Sequence, residues 1–366
     1  LPQGTKFLGV MKADAYGHGA VPVSRALADL GAEYLAVSNL EEAVQIRRGE
    51  VRLPILILGY TPAEYAANMI FLDITQEVHS LEYARELNEA LAGTNYILNV
   101  HLKLDTGITR IGFFAYDNER TLDELRQVAQ LPHLHIEGAF MHFCVADSRA
   151  EADVSFTKLQ YKRFMDMLSA MAGVGIRPEI RHCCNSGATI LYPEFALDMV
   201  RPGIITYGNA PSDELEGALS LRPMMSLQSM IAQVRTVPAG TDISYGRLYR
   251  TKEETRVAVL PIGYADGLSR LLTGKASFYL QGHQVPVIGR ICMDMCMIDV
   301  SNVPEAKPGD VVTIFGYDDD GTLLPCERLA RAQGTINYEL LCQISKRIPR
   351  ICHRGAETSQ ILQYIV

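Results

Sequence analysis

Across residues 7–204, short apolar runs alternate with stretches whose apolar residues recur at helical spacing, and this alternation leaves few folds open. The apolar runs are FLGVMKA (7–13), EYLAVS (33–38), PILILG (54–59), LDIT (72–75), NYILNVHLKL (95–104), HIEGAFMHF (135–143), IRHCCNS (180–186) and LDMVRPGI (197–204). Between them lie VSRALADLGA, NLEEAVQIRRG, SLEYARELNEALAG and SFTKLQYKRFMDMLSAMAG, several opening on an Asn or Ser suited to cap a helix. Eight strands, each followed by a helix or short crossover, predict a (β/α)8 barrel. Their near-continuous apolar character suits a parallel sheet buried on both faces.

The texture changes after the polar, turn-rich stretch NAPSDELEGA. Beyond it, SLQSMIAQV, TRVAVLPIGYA, ASFYLQGHQVPVIG, CMIDV and GDVVTIFG read as strands separated by Pro-Gly, Gly-Asp and Asp-Gly turns. The expected division is a barrel over 1–218 and a mainly β domain over 219–366, in keeping with a chain of 366 residues that is long for one core. A net charge of −8 argues against a nucleic-acid partner. No apolar run reaches the ~20 residues that cross a bilayer. The eight cysteines show no C-x-x-C or zinc spacing and read as buried apolar thiols. That usage and the lack of a visible leader predict a cytoplasmic protein without a metal site.

In such barrels chemistry gathers at the C-terminal ends of the strands. Lys12 closes the otherwise apolar run FLGVM, either as a surface residue where the strand emerges or as a nucleophile at the barrel mouth. Lys103, Asp105 and Arg110 follow strand five, and His142 ends strand six. Asn185 and Ser186 end strand seven; Arg201, Gly203 and Ile204 close strand eight. Singly, NSGAT (185–189) reads as a helix cap and RPGI (201–204) as a turn. Together they can cradle a phosphate on the last two loops. A lysine across the mouth from a phosphate cradle points to pyridoxal 5'-phosphate, held by the amine as a Schiff base.

The motifs VMKADAYGHG, KLDTGITRIG, MHFCVAD, HCCNSGA, MVRPGIITYG, PIGYADG, GRICMDM and TINYELLCQISKRIPR occur in the order found in the alanine racemase family, which this sequence resembles over both parts. The resemblance implies a homodimeric isomerase that interconverts L- and D-alanine with pyridoxal phosphate and supplies D-alanine for the cell wall. It makes Lys12 the cofactor lysine and one base, and Tyr264, from the partner subunit, the other. Tyr16, Ser186, Gly203, Ile204 and Tyr338 match phosphate-binding positions, with Asn185 beside them. Arg201 would face the pyridine nitrogen with His142 supporting it. Arg110 would approach the phenolic oxygen and, with Met293 of the other subunit, the substrate. Lys103 matches a position that is often carbamylated. Family members carry a further helix and strand before the cofactor lysine, so this chain reads as trimmed.

Two bases on opposite faces of Cα account for racemisation directly, but lysine and tyrosine both have unperturbed pKa values near ~10 and need their surroundings to tune them. Three other readings share parts of the pattern. A serine-preferring racemase of the antibiotic-resistance type differs in the room around the substrate side chain, where a bulky Tyr338 favours a methyl. A non-catalytic pyridoxal-phosphate barrel lacks the second domain that holds Tyr264 and Met293. A basic-amino-acid decarboxylase would want an acid where Arg201 stands. His18 reads as a loop residue, Asp266 and Asp294 as loop orienters, and the Asp318–Gly321 run as a solvated turn. Arg290 serves either the substrate's path or a carboxylate.

Overall fold

The computed structural model describes residues 1–116, 118–355 and 357–364. The chain divides into two compact units, Leu1–Ala15 with Ala20–Leu221, and Tyr16–Gly19 with Arg222–Val366.

The first unit is a closed eight-stranded parallel barrel. Its strands are β1 (Lys6–Val10), β2 (Tyr34–Val37), β3 (Ile55–Ile57), β4 (Ile74–Val78), β5 (Leu98–Asp105), β6 (Leu134–Phe140), β7 (Ile180–His182) and β8 (Met199–Val200). Each pairs in parallel with its sequence neighbour, and β8 returns to β1. Val37, Ile55, Leu56, Ile57, Val100 and Leu102 are fully buried, as strands covered on both faces require. The expected helix caps form: Asn39 Oδ1 accepts from Glu42 N (3.0 Å) and Ser80 Oγ from Tyr83 N (3.1 Å).

Several strands are shorter than the apolar runs imply. β1, β6, β7 and β8 end before Lys12, His142, Asn185 and Arg201, because these polar residues leave the ladder to line the strand ends. The fourth strand is displaced from 72–75 to Ile74–Val78. Asp73 turns at φ 51°, and Gln76 and Glu77, polar enough to look like loop, are wholly buried strand residues. Gln76 Nε2 donates to Gly59 O (2.8 Å), and His79 Nδ1 lies 2.9 Å from Glu77 Oε1. The barrel interior is therefore partly polar.

The second unit carries an eight-stranded antiparallel sheet: β9 (Leu227–Met230), β10 (Gln233–Val237), β11 (Thr255–Leu260), β12 (Ser277–Leu280), β13 (His283–Ile288), β14 (Cys296–Asp299) and β15 (Val311–Tyr317), with the short strand Leu323–Leu324 paired to β15 off the main path. Their order is β9-β15-β12-β13-β14-β11-β10. Phe278, Val285, Ile298, Ile314 and Phe315 fill its core, and the short helices Cys326–Gln333 and Asn337–Cys342 follow the sheet strands. Cys183, Cys184, Cys296 and Cys326 are buried, whereas Cys144 and Cys342 are exposed, so the buried-thiol reading does not extend to those two.

One bond fastens the start of the barrel to its end. Tyr207, fully buried in the turn Ile204–Tyr207 after β8, donates its hydroxyl to Val10 O at 2.5 Å. Tyr207→Phe leaves that carbonyl short of a partner and should lower stability by about 1–2 kcal/mol. The change is readable as a lower denaturant midpoint, and an unchanged midpoint would show that the bond contributes nothing.

Candidate active site

Lys12 stands just past β1, at the start of a backbone segment of unusual hand. Ala13, Asp14, Ala15 and Tyr16 all have φ between 52° and 55°. Left-handed conformation costs an L-residue about 1–2 kcal/mol each, so the segment needs outside support. Ala15 N donates to Met11 O (2.7 Å), Ala13 N to Glu42 Oε1 (2.7 Å) and Ala20 N to Asp14 Oδ1 (2.8 Å). Gln45 Nε2 adds a second donor to Asp14 Oδ1 at 3.3 Å. Helix Leu40–Arg48 thus braces the turn that follows Lys12, using residues with no chemistry of their own.

Arg201 follows β8, the strand paired with β1, and is buried. One Nη1 hydrogen goes to His182 Nδ1 (2.8 Å), and the two on Nη2 go to Met141 O (2.7 Å) and Cys183 O (3.2 Å). Its Nε–H and second Nη1–H take no bond among the described residues. Burial lowers its pKa to about 10, which leaves it a cation at neutral pH. Phe140 lies as a plate beneath this corner. Its ring stacks on His182 (centroids 5.0 Å apart, 9° between planes), with Lys103 Nζ 4.7 Å and the Arg201 guanidinium 5.3 Å from its centroid.

Lys103 is buried, and its Nζ has no hydrogen-bond partner. Burial, and then the charges of Arg201 and Arg110, hold its pKa well below the usual lysine value. His142 reports how the cations converge. Its pKa lies far below normal through burial first, followed by Lys103, Arg201, Arg110 and Lys12 in that order. Lys103, Arg201, Arg110 and Lys12 thus all act electrostatically on His142, with Glu77 and Asp105 as the acids acting on Lys103. Arg201 donates to His182 and makes no hydrogen bond to His142 among the described residues, so the imidazole that contacts it is one the sequence reading did not name.

The last two loops are tied together. Asn185 caps helix Ser186–Leu191, accepting from Ala188 N (3.0 Å) while its Nδ2 donates to Phe143 O (3.3 Å). Ser186 Oγ accepts from Gly203 N (2.9 Å), and Ser186, Gly203 and Ile204 are all buried. In the second unit, Tyr16 and Tyr338 face each other with ring centroids 6.0 Å apart. Tyr264 and Met293 are also neighbours there: Tyr264 N donates to Cys292 O and Ala265 N to Met293 O, both at 3.0 Å. A Cβ on Gly263 would lie 2.3 Å from Met293 O, so only glycine lets the two loops meet. Asp266 accepts from Gly263 N (2.9 Å), and Arg347 bonds Asp294 (2.9 Å), as loop-orienting residues do. Tyr264 and Met293 remain 42% and 52% exposed.

The sequence reading passed over His182, His101, Glu137 and Phe140. They sit inside apolar runs that suit a doubly buried strand, and the alternation His101, Lys103, Asp105 along β5 was the available sign that one face is polar. Among the described residues, no cluster of three or more metal-ligating side chains occurs and no helix is long and apolar enough to cross a membrane.

Residues 1–211 match the family model of the alanine racemase N-terminal domain, and 224–352 that of the C-terminal domain. The alanine racemase of Desulfovibrio desulfuricans is 46% identical, covering 96% of this chain and 92% of that protein. Among solved structures, the alanine racemase of Clostridium difficile 630 matches with a TM-score of 0.93 at 39% identity, over 100% of this chain and 93% of that one. The Bacillus anthracis alanine racemase with bound L-Ala-P matches with a TM-score of 0.92 at 34% identity, over 100% and 92%. With both domain models matched in order and such identity along nearly its whole length, the chain belongs to the alanine racemase family.

Proposed function

We propose that this protein racemises alanine with pyridoxal 5'-phosphate and so supplies D-alanine for the bacterial cell wall. The observation that carries the reading is the buried, charged Arg201 at the strand ends of the barrel, with two donors that take no bond among the described residues. A buried positive charge of this kind suits a phosphorylated, anionic cofactor. The two unused donors of buried Arg201 fit its ring nitrogen, and the Ser186–Gly203 turn fits its phosphate. When bound, the cofactor takes up the electron pair left at Cα when its proton is removed.

The chain's own residues do the rest. Lys12 holds the cofactor through its amine and moves the Cα proton on one face. Tyr264 does so on the other, donated by a second copy of the chain. Its exposure beside Met293, which offers its N–H to the substrate carboxylate, fits that homodimeric arrangement. Arg201 can only donate, so it would hold the ring nitrogen as an acceptor, which would limit the spread of charge into the ring and favour return of the proton to Cα. Asn185, Ser186, Gly203 and Ile204 bind the phosphate, and Arg110 the phenolic oxygen. His142, whose pKa burial and then the neighbouring basic groups push far down, leaves the anion-binding charge to the arginines. Lys103, buried and with its pKa pulled down toward the uncharged amine, is set to add to carbon dioxide: its nitrogen forms the C–N bond and releases a proton, giving a carbamate that orients Arg110. We place the enzyme in the cytoplasm, where the absence of disulfides among its cysteines is at home. The bulk of Tyr338 favours alanine over serine.

Three outcomes follow. Lys12→Ala abolishes both racemisation and the covalent pyridoxyl label that borohydride leaves on the wild-type residue; a label retained in the variant contradicts the assignment. Tyr264→Phe keeps the label, yet in deuterium oxide it exchanges the Cα hydrogen of one alanine enantiomer and not the other. Exchange of both would remove Tyr264 from the second face. With labelled bicarbonate, a carbamate carbon signal is expected by carbon-13 NMR in the wild type and none in Lys103→Ala; its absence from the wild type rejects the modification.

A further inference from the structure

A row of buried hydrogen bonds runs from Arg201 into the barrel. Arg201 Nη1 meets His182 Nδ1 at 2.8 Å, His182 Nε2 meets His101 Nδ1 at 2.8 Å, and His101 Nε2 meets Glu137 Oε2 at 3.0 Å. Glu137 Oε2 also accepts from Tyr34 OH (3.0 Å) and Thr75 Oγ1 (3.3 Å). Both imidazoles are wholly buried, and the carboxylate side chain is 18% exposed.

The direction of the row is forced. A guanidinium has no acceptor, so His182 must present a bare Nδ1 and carry its proton on Nε2. His101 must then accept at Nδ1 and donate from Nε2, which only an acceptor such as Glu137 can receive. Burial pulls both histidines below their ordinary pKa, consistent with two neutral rings. Burial alone would raise Glu137, but the bonds from His101, Tyr34 and Thr75 outweigh it and hold the carboxyl ionised.

The backbone is shaped for the row. Between β5 and β6 the register slips by one, Val100 opposite Ile136 but His101 opposite Gly138, so Glu137 is the extra residue of a bulge. A Cβ on Gly138 would come within 2.5–2.6 Å of three atoms of the His101 ring. Bulge and glycine together re-aim the carboxylate and open the space the imidazole fills.

We infer that Glu137 and His101, acting through His182, are positioning residues for Arg201: the carboxylate anchors a one-way row of hydrogen bonds that holds the guanidinium in a single orientation. The row's use in catalysis rests on the assignment of Arg201 to the cofactor's ring nitrogen; the row itself does not.

The test pairs Glu137→Leu, which removes the acceptor, with Glu137→Gln, which keeps one. In protein labelled with nitrogen-15 histidine and assigned by single His variants, both His101 and His182 should carry the proton on Nε2, with no change across the neutral pH range. Glu137→Gln should keep that pattern; Glu137→Leu should shift or split the His101 signals. In the holoenzyme, kcat should fall about ten- to a hundredfold in Glu137→Leu with KM little changed, and Glu137→Gln should recover most of the loss. A proton on Nδ1 of either ring in the wild type overturns the row, whatever the fate of the Glu137 variants. Wild-type kcat in Glu137→Leu overturns the positioning role. If the protein took up no pyridoxal phosphate, the functional reading would fail while the tautomers still judged the row.

Discussion

The barrel's design turns on one buried charge, the guanidinium of Arg201. Taking such a group out of water costs several kcal/mol even after relaxation, and its bonds here go to a neutral imidazole and two backbone carbonyls. Those acceptors satisfy donors without cancelling charge. The neighbouring interior follows from that fact. The nearby histidines stay neutral, Lys103 is driven toward its uncharged form, and Phe140 offers only the face of its ring. What restores balance is an anion at the strand ends, and a phosphorylated cofactor is one.

A second constraint sits across the β1–β8 seam. Four residues in the left-handed region after Lys12 are held by ordinary groups: a glutamate and a glutamine on helix Leu40–Arg48, an aspartate within the turn and the Met11 carbonyl. Strain of this kind persists only where surroundings over-determine it, and it clusters at working sites. Here it turns the chain sharply away from the strand end immediately after the reactive amine.

Much of this was legible in the sequence. Eight apolar runs with helical spacers specify a barrel because a parallel sheet needs crossovers and cover on both faces, and the polar residues at Lys12, Arg201 and Ser186 marked its active end. The fourth strand was displaced because Gln76 and Glu77 are polar yet buried, and composition cannot distinguish an inward polar residue from a loop. The partner of Arg201 was missed for a related reason. His142 is adjacent in motif, whereas His182 reaches Arg201 through barrel closure, which no local spacing records. Glu137 was less visible still, since its role depends on a bulge that a one-residue slip in pairing creates.

With Arg201 at the cofactor's ring nitrogen, as proposed, a donor-only group at the barrel mouth sets the protonation state of that ring. The most direct measurement is the nitrogen-15 chemical shift of ring-labelled pyridoxal phosphate bound to the protein, followed across the neutral pH range. The account predicts an unprotonated ring nitrogen that accepts from Arg201 and does not titrate. A protonated ring nitrogen would contradict it, because Arg201 has no acceptor with which to meet that proton.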